Sequence, residues 1–339
     1  MITIDIIIPT LNESKFIRNS LDSVLAFKIP LNTIVKIYVV DGGSEDNTKE
    51  ILNEYISKFS NIHLLNNPNK IQPSALNIGI QNSSGDFIMR LDAHSMYPND
   101  YLTKCYDTMV DSDADNVGGI FVPVFKEKSL FPTLVMALTT HRFGVGNGEF
   151  RVSLQSKFVD TVPYGFFKRK IFDKIGLFDE RAYAIEDFEF NSRIRKFNGK
   201  IFLNSEIKVF YFNQSSLISF YKKQFFRDGP GNAYLWFIAP YAFALRHAIP
   251  FLFFLFICSI PISYFISLYL FYFNLIILFF YFFLAMLSSL QQSVRLKKVY
   301  LFFLLPFCFF AFHVLYGFGT FIGSIRLLFK RAPYIHYKP

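Results

Sequence analysis

Gly85-Asp86-Phe87-Ile88-Met89-Arg90-Leu91-Asp92-Ala93-His94 places four apolar positions, Phe87, Ile88, Met89 and Leu91, in a short run with the look of a buried strand. The run stops at an acidic residue followed two positions later by a histidine. In an open α/β sheet the carboxyl ends of strands are where ligands bind. A carboxylate and an imidazole at such an end could ligate a divalent cation, and the cation could grip a phosphate. The competing reading is an aspartate that caps a turn beside an ordinary surface histidine. These ten residues alone do not choose between the two.

Upstream, Ile4-Asp5-Ile6-Ile7-Ile8 is an apolar run ending at Pro9-Thr10, and Ser14 to Ala26 has helical spacing through Phe16, Ile17, Leu21, Val24 and Leu25. A second strand, Val35 to Val40, ends at Asp41-Gly42-Gly43-Ser44, and a helix over Asp46 to Phe59 follows. Ile62 to Leu65 reads as a third strand and Ser74 to Gln81 as another short helix. Strands alternating with helices predict a mostly parallel sheet covered on both faces. Neither a Gly-x-Gly-x-x-Gly after the first strand nor a Gly-Lys-Ser/Thr phosphate loop is present. Instead two strands end in carboxylates, Asp41 and Asp92, which can accept hydrogen bonds from a base N–H or from ribose hydroxyls.

Downstream, Gly144-Val145-Gly146-Asn147-Gly148 reads as a flexible loop that lies over the site, and Pro123 to Val162 as the region of the acceptor pocket. Ile185-Glu186-Asp187-Phe188-Glu189 opens a helix, where acidic residues commonly serve as dipole partners. In Tyr221 to Gly231, Arg227 is a candidate phosphate clamp or a cation at a membrane surface.

The 339-residue chain changes character along its length. Charged and apolar residues mix up to His247, whereas Ile249 to Leu290 contains no charge. That block is long enough for two membrane spans, each needing about 20 residues, with Tyr272-Phe273-Asn274 as the expected connection. A third apolar block, Val299 to Ile325, contains Pro306, Gly317, Gly319 and Gly323, which can kink or break a helix. The expected organisation is a catalytic domain over 1–232, an interfacial amphipathic segment over 233–248, a membrane region over 249–325 and a basic tail over 326–339. Met1 to Asp5 lack the charged start of a secretory leader, so the expectation is a catalytic domain that stays in the cytoplasm and a multi-pass protein of the cell inner (plasma) membrane. Arg295, Lys297 and Lys298 agree with a hairpin returning to the cytoplasm, while Arg326, Lys330, Arg331 and Lys338 would place the tail there too. A single crossing by the third block would put that tail outside.

A net charge of +9 suits anionic lipid and phosphorylated substrates. No basic stripe or nucleic-acid motif accompanies it, so nucleic acid is not an expected partner. Cys105, Cys258 and Cys308 have neither metal-site nor disulfide-framework spacing.

Taken together, Ile7-Ile8-Pro9-Thr10-Leu11-Asn12-Glu13, Val39-Val40-Asp41-Gly42-Gly43-Ser44, Ala75-Leu76-Asn77, Gly85-Asp86, Asp92-Ala93-His94, Glu186-Asp187, and Gln224 with Arg227 resemble the family 2 glycosyltransferases of GT-A fold, in the family's order. The resemblance covers residues 4 to 232. Asp-Ala-His, the glycine-rich loop and Asp160-Thr161-Val162 are similar to the ExoA-type enzymes of succinoglycan and exopolysaccharide biosynthesis, which build on a polyprenyl-diphosphate lipid.

The resemblance implies an α/β GT-A fold followed by C-terminal transmembrane helices, and it implies roles. Pro9, Thr10, Glu13, Asp41, Asn77 and Asp92 would bind the donor nucleotide. Asp92 and His94 would hold a divalent metal, Mg²⁺ or Mn²⁺. Asp187 would be the general base, and Arg227 would meet the leaving diphosphate, with Glu186 and Gln224 in support. His94 stands where the family more often has a second Asp, and Asp228 follows Arg227 where processive synthases carry Trp. The expected activity is a metal-dependent, inverting transfer of a sugar from a nucleotide-diphosphate donor, UDP-linked by expectation, to a lipid-linked saccharide. Alternatives are transfer to polyprenyl monophosphate itself, a non-catalytic nucleotide-sugar-binding membrane protein, and a transporter, which the uncharged 42-residue block disfavours. The oligomeric state is not legible.

Overall fold

The computed structural model describes residues 1–124, 129–183, 185–212 and 216–331. The chain divides into two compact units, Met1–Val124 with Ser153–Phe212, and Phe125–Val152 with Asn213–Pro339. The segment 1–232 expected as one catalytic domain is therefore shared between them.

The first unit is built on one mixed sheet of nine strands. They are β1 (Ile2–Thr10), β2 (Thr33–Asp41), β3 (Ile62–Asn66), β4 (Phe87–Arg90), β5 (Ser95–Met96), β6 (Asn116–Val124), β7 (Lys157–Phe158), β8 (Phe166–Lys168) and β9 (Ile201–Phe212). Their order is β3-β2-β1-β4-β8-β6-β9-β5, with β7 on β9. The pairs β1–β2, β2–β3 and β1–β4 are parallel, as the alternating pattern predicts. β8 runs antiparallel to both of its neighbours, and β6–β9 is parallel again.

β1 shows why the sheet is covered on both faces. Ile4, Ile6 and Ile8 pack in one core cluster with Ile17, Leu21 and Val24 of the helix Ile17–Leu25. Ile7 points the other way, against Gly79 of the helix Gln72–Gln81, where any Cβ would run into its side chain. All four isoleucines are fully buried, each contributing roughly 1.5–3 kcal/mol. A strand buried on both faces reads as a continuous apolar run.

The second unit contains three helices long and apolar enough to cross a membrane: Leu245–Ile266, Leu268–Leu296 and Tyr300–Leu328. Two expectations are corrected here. The first two helices join at Ser267, in extended conformation, and Tyr272-Phe273-Asn274 lies inside the second. The first helix starts at Leu245, before the apolar block, so its 22 residues already span about 33 Å by Ile266. The glycine-rich stretch is not an open loop either, because the short helix Arg142–Val145 takes in its first two residues and the short helix Glu149–Val152 follows directly. Gly144 lies against the Leu138 carbonyl, which leaves no room for a Cβ.

The third apolar helix is continuous through Pro306 and its three glycines. Gly317 faces the carbonyl of Pro250, and Gly319 that of Phe225, so glycine serves close helix approach here. The expected interfacial segment 233–248 is divided between the end of the helix Gly229–Ile238, a short turn at Pro240–Ala242 and the start of the first apolar helix. Gln292 donates to the Ala137 carbonyl at 2.7 Å and Arg295 to the Thr140 carbonyl at 3.0 Å, tying the helix Leu130–Thr139 to the end of the second apolar helix. Lys330 and Arg331 of the basic tail are described, and Lys338 lies outside the described residues.

Candidate active site

The carboxyl ends of β1 and β2 lie side by side, with Thr10 opposite Asp41. The loops that leave them are stitched together. The Asn12 N–H donates to Ser44 Oγ at 2.8 Å, and Asn12 Oδ1 accepts from the Glu45 N–H at 2.8 Å. The Glu13 N–H donates to Thr48 Oγ1 at 2.9 Å and the Ser14 N–H to Asp46 at 3.1 Å. Asn12 adopts φ +55°, a conformation that asparagine tolerates better than most residues. Partial burial pushes the Asp46 carboxyl up, but hydrogen bonds from Ser14 and Thr48 prevail and hold it at about 2.

Asp41 organises this corner. One of its oxygens accepts from the backbone N–H groups of Gly43 and Ser44, each at 3.0 Å, and the other from the Ser44 hydroxyl. Pro9 and Thr10 are the last two residues of β1, beside it. Asn77 does something different from Asp41. Its amide donates to the Phe178 carbonyl at 3.0 Å and to Glu180 at 3.2 Å, while its oxygen accepts from the Phe178 N–H at 2.9 Å. Asn77 thus latches the 178–180 segment.

Next along the sheet, β4 ends at Arg90, a residue absent from the sequence-derived site. It is the hub of the charged cluster. Its guanidinium lies 2.8 Å from Asp187, 3.1 Å from Asp92 and 3.4 Å from Glu186. The Tyr164 ring covers it at 4.9 Å from the ring centroid. A buried cation needs a paired anion, and here one cation meets three carboxylates. Asp92 also accepts from the Gln72 amide at 3.2 Å, and its backbone N–H donates to the Tyr97 hydroxyl at 2.8 Å.

Glu186 and Asp187 open the helix Glu186–Lys196, as expected, but they serve the cluster and not only the helix dipole. Glu186 is buried, whereas the Asp187 side chain keeps 25% of its surface exposed. Burial pushes the Asp187 carboxyl up; Arg90 pulls it back, and Glu186 and Asp92 push it up again, leaving it at about 7. A carboxylate poised there is suited to general-base work near neutrality.

His94 completes the group. Its Nδ1 lies 3.0 Å from Glu13 and its Nε2 3.9 Å from Asp92 Oδ2. Burial pulls the imidazole down, but the Glu13 hydrogen bond and the Asp92 and Glu13 charges outweigh it and leave it raised. A carboxylate on one ring nitrogen is the usual outer support of a metal-ligating histidine. Among the described residues no group of three or more His, Cys, Asp and Glu side chains is arranged to hold a metal ion. Two donors, Asp92 Oδ2 and His94 Nε2, fit a hard cation that takes its other ligands from phosphate oxygens and water, and do not suffice for one caged by protein alone.

Gln224 and Arg227 belong to the second unit. They lie in Gln224–Asp228, a widened π-type turn between the helices Leu217–Lys223 and Gly229–Ile238. Such turns recur at functional sites. Gln224 donates to Asp228 at 3.0 Å. Asp228 draws Lys223 up, but burial and the charges of Arg227 and Arg151 prevail and hold it below its ordinary value.

Comparison with known proteins bears on the family of the chain. Over 334 residues the chain is 29% identical to the dolichyl N-acetyl-α-D-glucosaminyl phosphate 3-β-D-2,3-diacetamido-2,3-dideoxy-β-D-glucuronosyltransferase of Methanococcus voltae, covering 95% of this chain and 97% of that protein. It is 26% identical to the succinoglycan biosynthesis protein ExoA of Rhizobium meliloti over 230 residues, covering 67% and 68% of the two chains. The crystal structure of S. aureus TarS 1-349 in complex with UDP is similar at a TM-score of 0.45 and 18% identity, over 66% of this chain and 63% of that one. The family model for glycosyl transferase family 2 matches residues 5–176, from β1 to just past β8. With the mixed α/β sheet, the acidic strand ends and the apolar C-terminal helices in place, the chain belongs to glycosyl transferase family 2: it is a glycosyltransferase of GT-A fold with C-terminal membrane helices.

Proposed function

We propose that this glycosyltransferase transfers a sugar, with inversion, from a nucleotide-diphosphate donor to a lipid phosphate-linked saccharide at the cytoplasmic face of the plasma membrane. The observation that carries the reading is the convergence of Asp92 and Asp187, distant in sequence, on one buried guanidinium. UDP as the donor nucleotide rests on the sequence resemblance. The acceptor class draws on the M. voltae relative, whose name specifies a dolichyl glycosyl phosphate. The polar ends of the apolar helices, with Arg246, Arg295, Lys297 and Lys298, suit the cytoplasmic side.

In this reading the stitched loops after β1 and β2, with Pro9, Thr10, Glu13 and Asp41, hold the base and ribose, and Asn77 keeps the neighbouring wall in place. A divalent cation, Mg²⁺ or Mn²⁺, would be held by Asp92 and His94 and would neutralise charge growing on the leaving diphosphate. Asp187, on the acceptor side, accepts the proton of the attacking hydroxyl as its oxygen bonds to the anomeric carbon. The nucleoside diphosphate departs from the opposite face, which requires inversion. The family resemblance assigns the departing charge to Arg227, with Gln224 in support. Glu186 lines the cluster beside Asp187 and keeps its carboxylate basic.

Incubating membranes that carry the protein with a panel of labelled nucleotide sugars, with and without chelator, tests the reading. The expected result is a labelled, lipid-extractable saccharide that disappears with chelator. Labelled lipid monophosphate bearing a single sugar would instead assign the acceptor as the bare lipid phosphate. Undiminished transfer in chelator would remove Asp92 and His94 from metal binding.

A further inference from the structure

We infer that Arg90 is the positioning residue of this site: it fixes the base carboxylate of Asp187 relative to the donor-side carboxylate of Asp92, with Tyr164 as its brace. The inference rests on the proposed roles of those two aspartates.

Arg90, Asp92, Glu186 and Asp187 carry one positive and three negative formal charges within one ion-paired cluster. Without the guanidinium the three carboxylates repel and separate. A planar guanidinium presents several N–H groups at fixed angles and can hold separate carboxylates simultaneously, which a lysine ammonium cannot do with the same geometry. Arg90 Nη1 lies 2.8 Å from Asp187 as an ion pair without hydrogen-bond alignment, and Nη2 lies 3.1 Å from Asp92 and hydrogen-bonds Glu186 at 3.4 Å. The relative placement of base and donor carboxylates is thereby written into a single side chain.

Tyr164 braces one end of this arrangement, its ring face lying over the guanidinium. Its hydroxyl lies 3.2 Å from Ser95 Oγ. The Arg90 N–H donates to the carbonyl of Gly165 at 3.0 Å, so the backbone of β4 is pinned next to the same tyrosine. Tyr164 has φ +49°, an uncommon conformation for a bulky residue that persists where the surroundings enforce it. Strain of this kind clusters at sites that need fixed geometry.

The test is Arg90→Lys, which keeps the charge and loses the fork. The folded protein is checked by its thermal melt and by calorimetric binding of UDP with Mn²⁺. UDP binding is expected to stay within about threefold of the parent. Transfer to the lipid-linked product is expected to fall about 100-fold in kcat, the loss that follows a misplaced catalytic group. The acid limb of the pH–rate profile is expected to move upward, because a looser cation stabilises the ionised base less. Transfer within about threefold of the parent with an unmoved acid limb would overturn the inference. So would a loss confined to the thermal melt, which is what a purely structural counter-ion produces.

If Arg90→Lys does not fold, the charge-compensated pair Arg90→Gln with Glu186→Gln takes its place. A parental kcat in that pair would equally overturn the inference. Asp187→Asn separates this failure from failure of the underlying reading. Turnover in Asp187→Asn removes the base assignment itself, whereas an inactive Asp187→Asn beside an active Arg90→Lys removes only Arg90.

Discussion

Two neighbouring corners of the sheet in the first unit are held together by different forces. At the ends of β1 and β2 the loops are joined by hydrogen bonds between backbone N–H groups and Ser44, Thr48, Asp46 and Asn12. At the end of β4 the side chains are held by ion pairs to one buried arginine. Hydrogen bonds of the first kind are directional and contribute about 1 kcal/mol each. Buried ion pairs of the second kind contribute little net stability, but breaking one by removing a single partner is costly. The first corner is therefore built to hold a shape, and the second to hold charge in a defined state. Shape suits recognition of a base and ribose, and poised charge suits the chemistry.

After loss of the base itself, the largest effect that would sharpen this contrast is expected from Asp92→Asn. It leaves Arg90 and the loops in place but removes donor-side charge, and transfer should fall about 100- to 1000-fold, as with other electrostatic stabilisers. Glu13→Gln, which removes the charge behind His94 Nδ1, should weaken activation by Mn²⁺ about 10- to 100-fold, read as a shift in the metal titration of activity. A Glu13→Gln enzyme with an unchanged metal titration would remove His94 from the metal site.

pH divides the two corners further. With Asp187 at about 7 against an ordinary value of 3.8, the folded protein binds more protons than the unfolded chain between those values. Stability therefore falls as pH rises from about 4 to about 7. Activity runs the other way: kcat/KM should rise about tenfold per pH unit up to about 7 and then level. Stability that rises through the same window would contradict the raised carboxyl. The smallest effect is expected at the shape-holding corner. Ser44→Ala removes the hydroxyl that joins Asp41 to Asn12 and should lower stability by about 1 kcal/mol and weaken UDP binding a few-fold, with no change in the acid limb.

Much of the first unit was legible in the sequence because its strands and helices alternate with clear periods. Ile4 to Ile8, the acidic strand ends and the helix opening at Glu186 fall where the pattern places them. Arg90 was missed because it stands inside the apolar run Phe87 to Leu91 and reads as an interruption. The usable signal was physical: a buried arginine requires partners, and the carboxylates at Asp92, Glu186 and Asp187 were the available ones. Both ends of the Asn77 amide bond the 178–180 segment, a long-range pairing with no local signature in the sequence. The join at Ser267 carries no turn signal in the sequence: Asn274 is buried inside a helix, and the first helix, begun at Leu245, ends at Ile266.

The central claim is that Asp187 is the base and Asp92 the donor-side carboxylate. Asp187→Asn in membranes, assayed both for UDP binding with Mn²⁺ and for transfer to the lipid-extractable product, tests it most directly. The account predicts binding within a few-fold of the parent and no detectable transfer. Transfer at a rate near the parent's would contradict it.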